Sequence, residues 1–294
     1  MSENPAVFIN IYSGKGLKIL KIIKQIIESD KLAIPVFTNA TSSTKEVLQK
    51  ISKKHSTLFV VGGDGTCNNV INNIDLKKNK VAFIPAGTGN DFVKMLKQVP
   101  LRNLLNNSFS TKVIESDVWS VELDDNQKQY FINGLGFGLD ADVAYSATKI
   151  KWLKGFPKYL FAAIKTLFTI TGREIRIITN SESITSTISF CAIGNGQYAG
   201  GGFKLTPEAN ISDSQLDICL VKIASTFTLF KLLPRSLMGT HILNPLVKYF
   251  KDSEIKIECD GGIPLHADGE LLGRNIKWAK INLISDKLKV IVAD

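Results

Sequence analysis

The segment LFVVGGDGTCNNVINNI constrains this chain more than any other. A four-residue apolar strand at 58–61 runs into Gly62, Gly63, Asp64, Gly65 and Thr66, and the pattern predicts a helix starting near Thr66. A buried strand, a glycine turn and a helix in that order suit a parallel sheet with helical crossovers. They also suit phosphate binding. Glycines lack Cβ, so the turn can adopt positive φ and let anionic oxygens reach backbone N–H groups. The helix N-terminus adds roughly half a positive charge. A carboxylate at Asp64 beside phosphates makes sense if Mg2+ bridges them. The same residues equally suit a tight turn with Asp64 as its cap.

Neighbouring segments repeat the logic. AVFINIY ends in SGKG and precedes LKILKIIKQIIE, whose Leu20, Ile23 and Ile27 fall at helical spacing. IPVFT reads as a short strand, and STKEVLQKISKK as a helix with a Ser/Thr-rich start. VAFIP leads into Ala86, Gly87, Thr88, Gly89 and Asn90, followed by the helix-like DFVKMLKQ. In a parallel sheet such loops converge at the carboxyl ends of the strands. None is GxxxxGK followed by Ser or Thr, which excludes a P-loop, and none is GxGxxG, which argues against a dinucleotide oxidoreductase. From about Val113 the texture becomes antiparallel β: KVIESDVWSVEL, YFINGLGF, REIRIITN, STISFCAIGN, LDICLVKI, EIKIEC and KLKVIVA, with helices near 140–170 and 226–250. No Pro/Gly/Ser-rich linker separates the two textures.

At 294 residues the chain has room for two domains, and 44% hydrophobic with 21% charged residues excludes disorder, collagen and coiled coil. Cys67, Cys191, Cys219 and Cys259 form no CxxC pair, so neither a zinc site nor a disulfide framework is expected and a reducing cytosol suits them. The first residues lack the features of a signal peptide, and Lys165 interrupts the longest apolar run, LFAAIKTLFTI, so a cytoplasmic chain without a membrane span is expected.

The net charge of +9 is concentrated. Lys149, Lys151, Lys154, Lys158, Lys165 and Arg173 occur without an acid between 143 and 173; Lys222, Lys231, Arg235, Lys248 and Lys251 do so between 218 and 251. Aromatic and apolar residues are interleaved: Trp152, Phe156, Tyr159, Phe161 and Phe168 in the first, Phe227, Phe230, Leu232, Leu233, Leu237 and Met238 in the second. Basic plus apolar is the chemistry of an anionic membrane surface, where each nearby cation contributes about 1 kcal/mol. Two helices with solvated basic faces would read the same way. Nucleic acid would attract the charge, but no recognisable module accompanies it, and no nucleic-acid partner is expected.

In the second half, LHADGELL sets Asp268 and Glu270 around Gly269. If extended, both carboxylates share a face; if turned, Glu270 can swing into a cleft; either could accept a hydroxyl proton. An Asp-Gly hairpin turn is the plainer alternative. NGQYAGGGFKLTPEA is Gly-dense and reaches Asp213, which could hold a cation with nearby carbonyls or merely cap a turn. His55, His241 and His266 lack metal-ligand spacing and receive no role.

GGDGTCNN at 62–69, AGTGNDF at 86–92, NGLGFGLDADV at 133–143, GNGQYAGGGFKLTPEA at 194–209 and ADGE at 267–270 together closely resemble the diacylglycerol kinase catalytic-domain family. The match is to its bacterial soluble lipid-kinase branch, related to sphingosine kinases and NAD kinases. The resemblance implies an α/β plus all-β fold: an NAD-kinase-like α/β nucleotide-binding domain (1–118, with 286–294 returning to it) followed by an antiparallel β-sandwich lipid-substrate domain (119–285). It implies an ATP- and Mg2+-dependent lipid kinase acting on a lipid hydroxyl, foremost that of diacylglycerol; phosphatidylglycerol, a long-chain base or NAD are alternatives, as is an inactive lipid-binding protein.

Carried over by motif, ATP would contact Asn10, Ser13, Gly14, Thr38, Gly62, Gly63, Asp64, Gly65, Thr66, Asn68 and Thr88. Glu270 would be the general base with Asp268 beside it, Asp64 would work on Mg2+, and a structural Mg2+ would sit at Asp213 with the carbonyls of Asn210 and Gln215. The family's usual NPxSG reads Asn10, Ile11, Tyr12, Ser13, Gly14 here, and its usual Asp-Gly at the metal segment reads Asp213, Ser214. The basic-apolar stretches near 149–173 and 222–251 would give peripheral contact with anionic membrane, and a homodimer is compatible with this reading.

Overall fold

The computed structural model of the chain describes residues 5–108, 110–153, 155–169 and 172–294. Lys154 of the first basic stretch lies outside them. The chain divides into two compact units, Met1–Val118 with Ser285–Asp294, and Trp119–Ile284.

The first unit alternates β1 (Pro5–Ile9), α1 (Gly16–Ser29), β2 (Val36–Thr38), α2 (Thr44–Lys54), β3 (Thr57–Gly62), α3 (Asp64–Asn73) and β4 (Lys80–Pro85), followed by α4 (Leu101–Leu105) and β5 (Thr111–Ser116). Among the described residues they build a six-stranded sheet in the order β2-β1-β3-β4-β15-β5, where β15 is the last strand of the chain, Leu288–Ala293. β15 runs parallel to β4 and antiparallel to β5; the other pairs are parallel. A strand covered on both faces must be apolar throughout, and all six residues of β3 are buried. Helix α1 lays Ile19, Leu20, Ile23, Ile26 and Ile27 against Val7, Ile9, Phe59 and Val61. Burying Ile23 contributes about 2 kcal/mol. At the start of α2, Ser43 Oγ accepts from Glu46 N and Glu46 Oε2 accepts from Ser43 N, each at 3.2 Å, closing a capping box.

Two expected helices are corrected here. Helix α3 starts at Asp64 rather than near Thr66, so part of the glycine segment is its first turn. DFVKMLKQ forms just a 3-10 turn, Val93–Met95. Leu96 is already extended and Lys97 O accepts from Ala293 N, so pairing with β15 takes the backbone that a longer helix would need.

The second unit contains β6 (Trp119–Leu123), β7 (Lys128–Phe131), β8 (Gly134–Gly138), α5 (Leu139–Lys149), α6 (Phe156–Leu167), β9 (Arg173–Thr179), β10 (Ser183–Gly194), β11 (Leu216–Lys222), α7 (Thr226–Met238), β12 (Val247–Asp252), β13 (Glu254–Ala267) and β14 (Glu270–Leu283). Its strands pair antiparallel in the order β12-β11-β10-β8-β13-β14-β6-β7. β9 pairs one end of both β10 and β13, whose other ends pair β8. Inward residues such as Trp119, Phe131, Phe137, Ile177, Ile193, Ile218 and Leu265 make a continuous core. Trp119 Nε1 donates to Asn195 Oδ1 at 3.1 Å, and Asn195 Nδ2 donates to Ile132 O at 2.6 Å, so the buried indole pays no desolvation penalty. The fold is therefore an α/β unit with an antiparallel β-sandwich unit, as the motifs implied. The expected helical stretch 226–250 is shorter: Gly239, in the left-handed conformation (φ +76°), stops α7, and 247–252 is strand β12.

KVIESDVWSVEL, read as one strand-like segment, is two strands in two different sheets, β5 and β6. All four cysteines are buried free thiols, and burial pushes Cys219 up to about 12. At neutral pH it is an inert thiol.

Candidate functional site

In the first unit the loops after β1, β3 and β4 leave the same end of the parallel sheet. Glycine lets two of them touch: a Cβ on Gly87 would stand 2.5 Å from Gly63 Cα, and one on Gly63 would stand 2.8 Å from Gly87 Cα. The backbones are then laced together, with Ala86 N donating to Gly62 O at 2.7 Å and Lys15 N to Ala86 O at 2.8 Å. Asp64 makes the tightest link. Its Oδ2 accepts from Asn90 N at 2.8 Å and its Oδ1 from Asp91 N at 2.6 Å. Asn90 sits at φ +54° with its side chain folded back on the loop, Gly87 N donating to Oδ1 at 3.1 Å and Nδ2 donating to Gly87 O at 3.0 Å.

The first loop is built around Asn10. Asn10 Nδ2 donates to Thr66 Oγ1 at 2.9 Å, and Ser13 N and Oγ donate to Asn10 O at 3.1 and 2.6 Å. The Ser-Gly turn thus forms without the family's proline. Gly14 faces Ala86 O and the Thr88 side chain, at 3.4 and 3.7 Å from where its Cβ would be. Asn10, Ser13, Gly14, Gly62, Gly63, Asp64, Gly65, Thr66 and Thr88 are therefore brought together. Thr38 closes β2 opposite Ile9. Asn68 is buried in α3, where Asn72 Nδ2 donates to its Oδ1 at 3.3 Å. Sequence reasoning missed Asn39: its Nδ2 donates to Asn10 Oδ1 at 2.9 Å and its Oδ1 accepts from Ile11 N at 3.1 Å. A lone Asn directly after an apolar strand was the available signal.

In the second unit, Asp268 and Gly269 form the turn between β13 and β14, with φ of +49° and +84°. The dipeptide is thus the hairpin turn that was the plainer alternative, and the segment is not extended through it. Asp268 is buried, and its carboxylate accepts from three consecutive backbone N–H groups, Ile132 (3.1 Å), Asn133 (2.9 Å) and Gly134 (3.0 Å). Glu270 is exposed at the start of β14.

His266, given no role from the sequence, braces this turn. Its Nδ1 accepts from Gly269 N at 3.3 Å, so the ring proton is on Nε2, which donates to Asp140 Oδ2 at 3.1 Å. Gly136 leaves the room, since a Cβ there would stand 2.1 Å from Asp140 Oδ2 and 2.2 Å from His266 Nε2. Two residues further along α5, burial pushes the Asp142 carboxyl up, against the pull of Arg173 and Arg274.

At the segment expected to hold a structural Mg2+, an ammonium already faces the one carboxylate of the expected set. Lys251 Nζ is 3.3 Å from Asp213 Oδ2, and the Asn210 carboxamide oxygen accepts from Ser212 N and Oγ at 3.2 and 3.1 Å. Gln215 N donates to Asp213 Oδ1 at 3.1 Å. Among the described residues no three His, Cys, Asp or Glu side chains gather as a metal cluster.

The basic-apolar stretches include α6 and α7. Leu229 and Leu232 bury one face of α7 with Leu167. Trp152, Phe161, Phe168, Phe227, Phe230, Met238 and Leu243 stay exposed. Lys231 Nζ lies 4.3 Å from the centre of the Phe227 ring. Arg173, Lys248 and Lys251 instead turn to partners within the unit: Gly262 O, Glu182, and Asp213 with Asp217. Among the described residues no helix is long and apolar enough to cross a membrane.

Residues 4–121 match the diacylglycerol kinase catalytic domain, and residues 134–292 match the YegS C-terminal NAD kinase beta sandwich-like domain. A diacylglycerol kinase of Staphylococcus carnosus is 28% identical over 284 residues, covering 93% of this chain and 90% of that one. A diacylglycerol kinase of Bacillus subtilis is 26% identical over 239 residues, covering 80% and 78%. Among solved structures, a diacylglycerol kinase from Bacillus anthracis superposes with a TM-score of 0.71 at 20% identity, covering 99% of this chain and 97% of that one. An NAD kinase from Archaeoglobus fulgidus in complex with ATP superposes at 0.53 with 12% identity, covering 97% and 92%.

Proposed function

Because this chain belongs to the family that joins a diacylglycerol kinase catalytic domain to a YegS C-terminal NAD kinase beta sandwich-like domain, we propose that it transfers the γ-phosphoryl group of ATP to the hydroxyl of a membrane lipid, diacylglycerol first among them. The observation that supports this reading is the Gly63–Gly87 approach, which stacks two glycine loops at the carboxyl end of a parallel sheet, the kind of place that suits phosphates.

In this reading the loop at 10–14, the start of α3 and Thr88 cradle the triphosphate, and Asp64 holds both loops in register through its contacts to Asn90 and Asp91. Mg2+ accompanying the nucleotide would be held at Asp64, a hard oxygen donor, and would screen phosphate charge. Glu270, exposed beside the turn, takes the proton from the lipid hydroxyl as the phosphoryl group moves in line. Asp268 serves it as a positioning residue, because three backbone donors already converge on its carboxylate. The exposed aromatics of α6 and α7, with Lys158, Lys165, Lys231 and Arg235, dock the second unit on anionic lipid so that a membrane-embedded hydroxyl can enter.

The test is transfer of labelled γ-phosphate from ATP with Mg2+ into mixed micelles of diacylglycerol, phosphatidylglycerol, ceramide and a long-chain base, with NAD assayed separately. Label in diacylglycerol is the expected result. Label in NAD alone would move the chain to the nucleotide-kinase branch. Transfer that ignores salt and lipid charge would sink the membrane-docking part.

A further inference from the structure

We propose that the Lys251 ammonium is a built-in cation for Asp213, the carboxylate to which the family resemblance gives a structural Mg2+, so that this chain holds its 204–215 segment without a metal. The inference goes beyond the kinase reading and does not depend on the lipid.

Three oxygens surround Nζ: Asp213 Oδ2 and Asp217 Oδ2, both at 3.3 Å, and Glu208 O at 3.2 Å. Two carboxylates and a carbonyl are the donor set a hard divalent cation would take. Asp217 needs such a partner. It is 0% exposed, its Oδ1 accepts from Tyr249 Oη at 2.6 Å, and its buried Oδ2 makes no aligned hydrogen bond. Lys251 is the cation set against it. Sheet register makes this obligatory, because Asp217 on β11 and Lys251 on β12 are direct cross-strand partners. A Mg2+ on Asp213 would need oxygens at about 2.0–2.1 Å. It would then stand within a few ångströms of the ammonium, a like-charge encounter in a partly desolvated place.

The same strand supplies a second pin. Tyr249, two residues before Lys251 and so on the same face of β12, accepts from Glu208 N at 3.2 Å through its hydroxyl. Tyr249 and Lys251 thus grip the backbone of Glu208 by its N–H and its carbonyl, just after the YAGGG stretch. A bound ion would have served to tie this segment to the sheet; here a side chain of the sheet does it.

Thermal unfolding of the full chain without nucleotide tests the proposal. Wild type is expected to melt at the same temperature in EDTA, Mg2+ or Ca2+. Lys251→Met should lower the midpoint by roughly 5 °C or more. Adding Ca2+ or Mg2+ should then restore part of the loss, since the emptied carboxylates can bind it. The double variant Lys251→Met/Asp213→Asn should lose that rescue. Lys251→Met melting like wild type and ignoring both ions would overturn the inference. So would a wild-type midpoint that falls in EDTA and returns with Mg2+ in a manner abolished by Asp213→Asn. This second comparison decides the matter even where Lys251→Met fails to fold.

Discussion

Two of the Asp-Gly dipeptides of this molecule, at 64–65 and 268–269, do the same job in opposite backbones. Asp64 and Asp268 each use a carboxylate to gather backbone N–H groups of another loop. Asp64 opens a helix in a parallel sheet and reaches 26 and 27 residues ahead, to the very next strand's loop. Asp268 turns a hairpin in an antiparallel sheet and reaches 134 to 136 residues back. In the first unit, then, chain order and spatial order nearly coincide at the site. In the second, a residue read as a proton acceptor is held as a structural clasp by a segment far away in sequence, and its neighbour Glu270 is left exposed.

Separating the clasp from the chemistry is the largest effect expected. Glu270→Gln should cut turnover by about 10^2–10^4-fold. It should leave the melting temperature and ATP affinity unchanged, because Glu270 is exposed. Unaltered turnover would end its assignment as base.

Next come the clasps themselves. Asp268→Ala strands three donors and should cost about 3 kcal/mol, a fall in midpoint on the order of 8 °C. Asp64→Ala strands the two donors of Asn90 and Asp91 and should cost about 2 kcal/mol, with weakened ATP binding by calorimetry. Equal costs with no change in nucleotide affinity would erase the distinction drawn between the two turns.

The glycines sharpen it further. Gly87→Ala drives a Cβ into Gly63 backbone and should cost about 2–3 kcal/mol. Gly269→Ala meets no atom within 4 Å, and its φ of +84° alone should cost about 1 kcal/mol. Denaturant midpoints of the two variants give the order.

The smallest effect concerns a carboxylate of the same kind away from both turns. Burial works against the Asp252 carboxylate, but hydrogen bonds from Ser181, Glu254, Thr179 and Ser253 outweigh it and hold its pKa at about 2. Depressed below its unfolded value near 4, it contributes stability that is complete above that pH and is lost as pH falls toward 2. Asp252→Asn should flatten the melting temperature over that interval relative to wild type.

Much of this was legible beforehand. The glycine loops and the alternation of strand, loop and helix follow from spacing, and the hairpin at 268–269 was the plainer of the readings left open, because each rests on contacts between near neighbours or on a φ that glycine takes readily. The helix expected at DFVKMLKQ was not, because Lys97 is claimed by Ala293, almost 200 residues away. His266 gave no signal for a comparable reason: its partner Asp140 lies 126 residues off. The metal segment shows a third case of a distant partner. Asp213 matches the family pattern, but the charge that answers it comes from Lys251, which in sequence looked like part of a basic surface.

By itself the amino-acid sequence determined the two textures, the places where glycine must be, and the family. Tertiary structure decided which charges face which. Antiparallel register set Lys251 against Asp217, turned Asp268 into a clasp and left Glu270 exposed. Local preferences are written in neighbouring residues, whereas an ion pair across strands depends on register, and register is settled only when both strands bury their apolar faces.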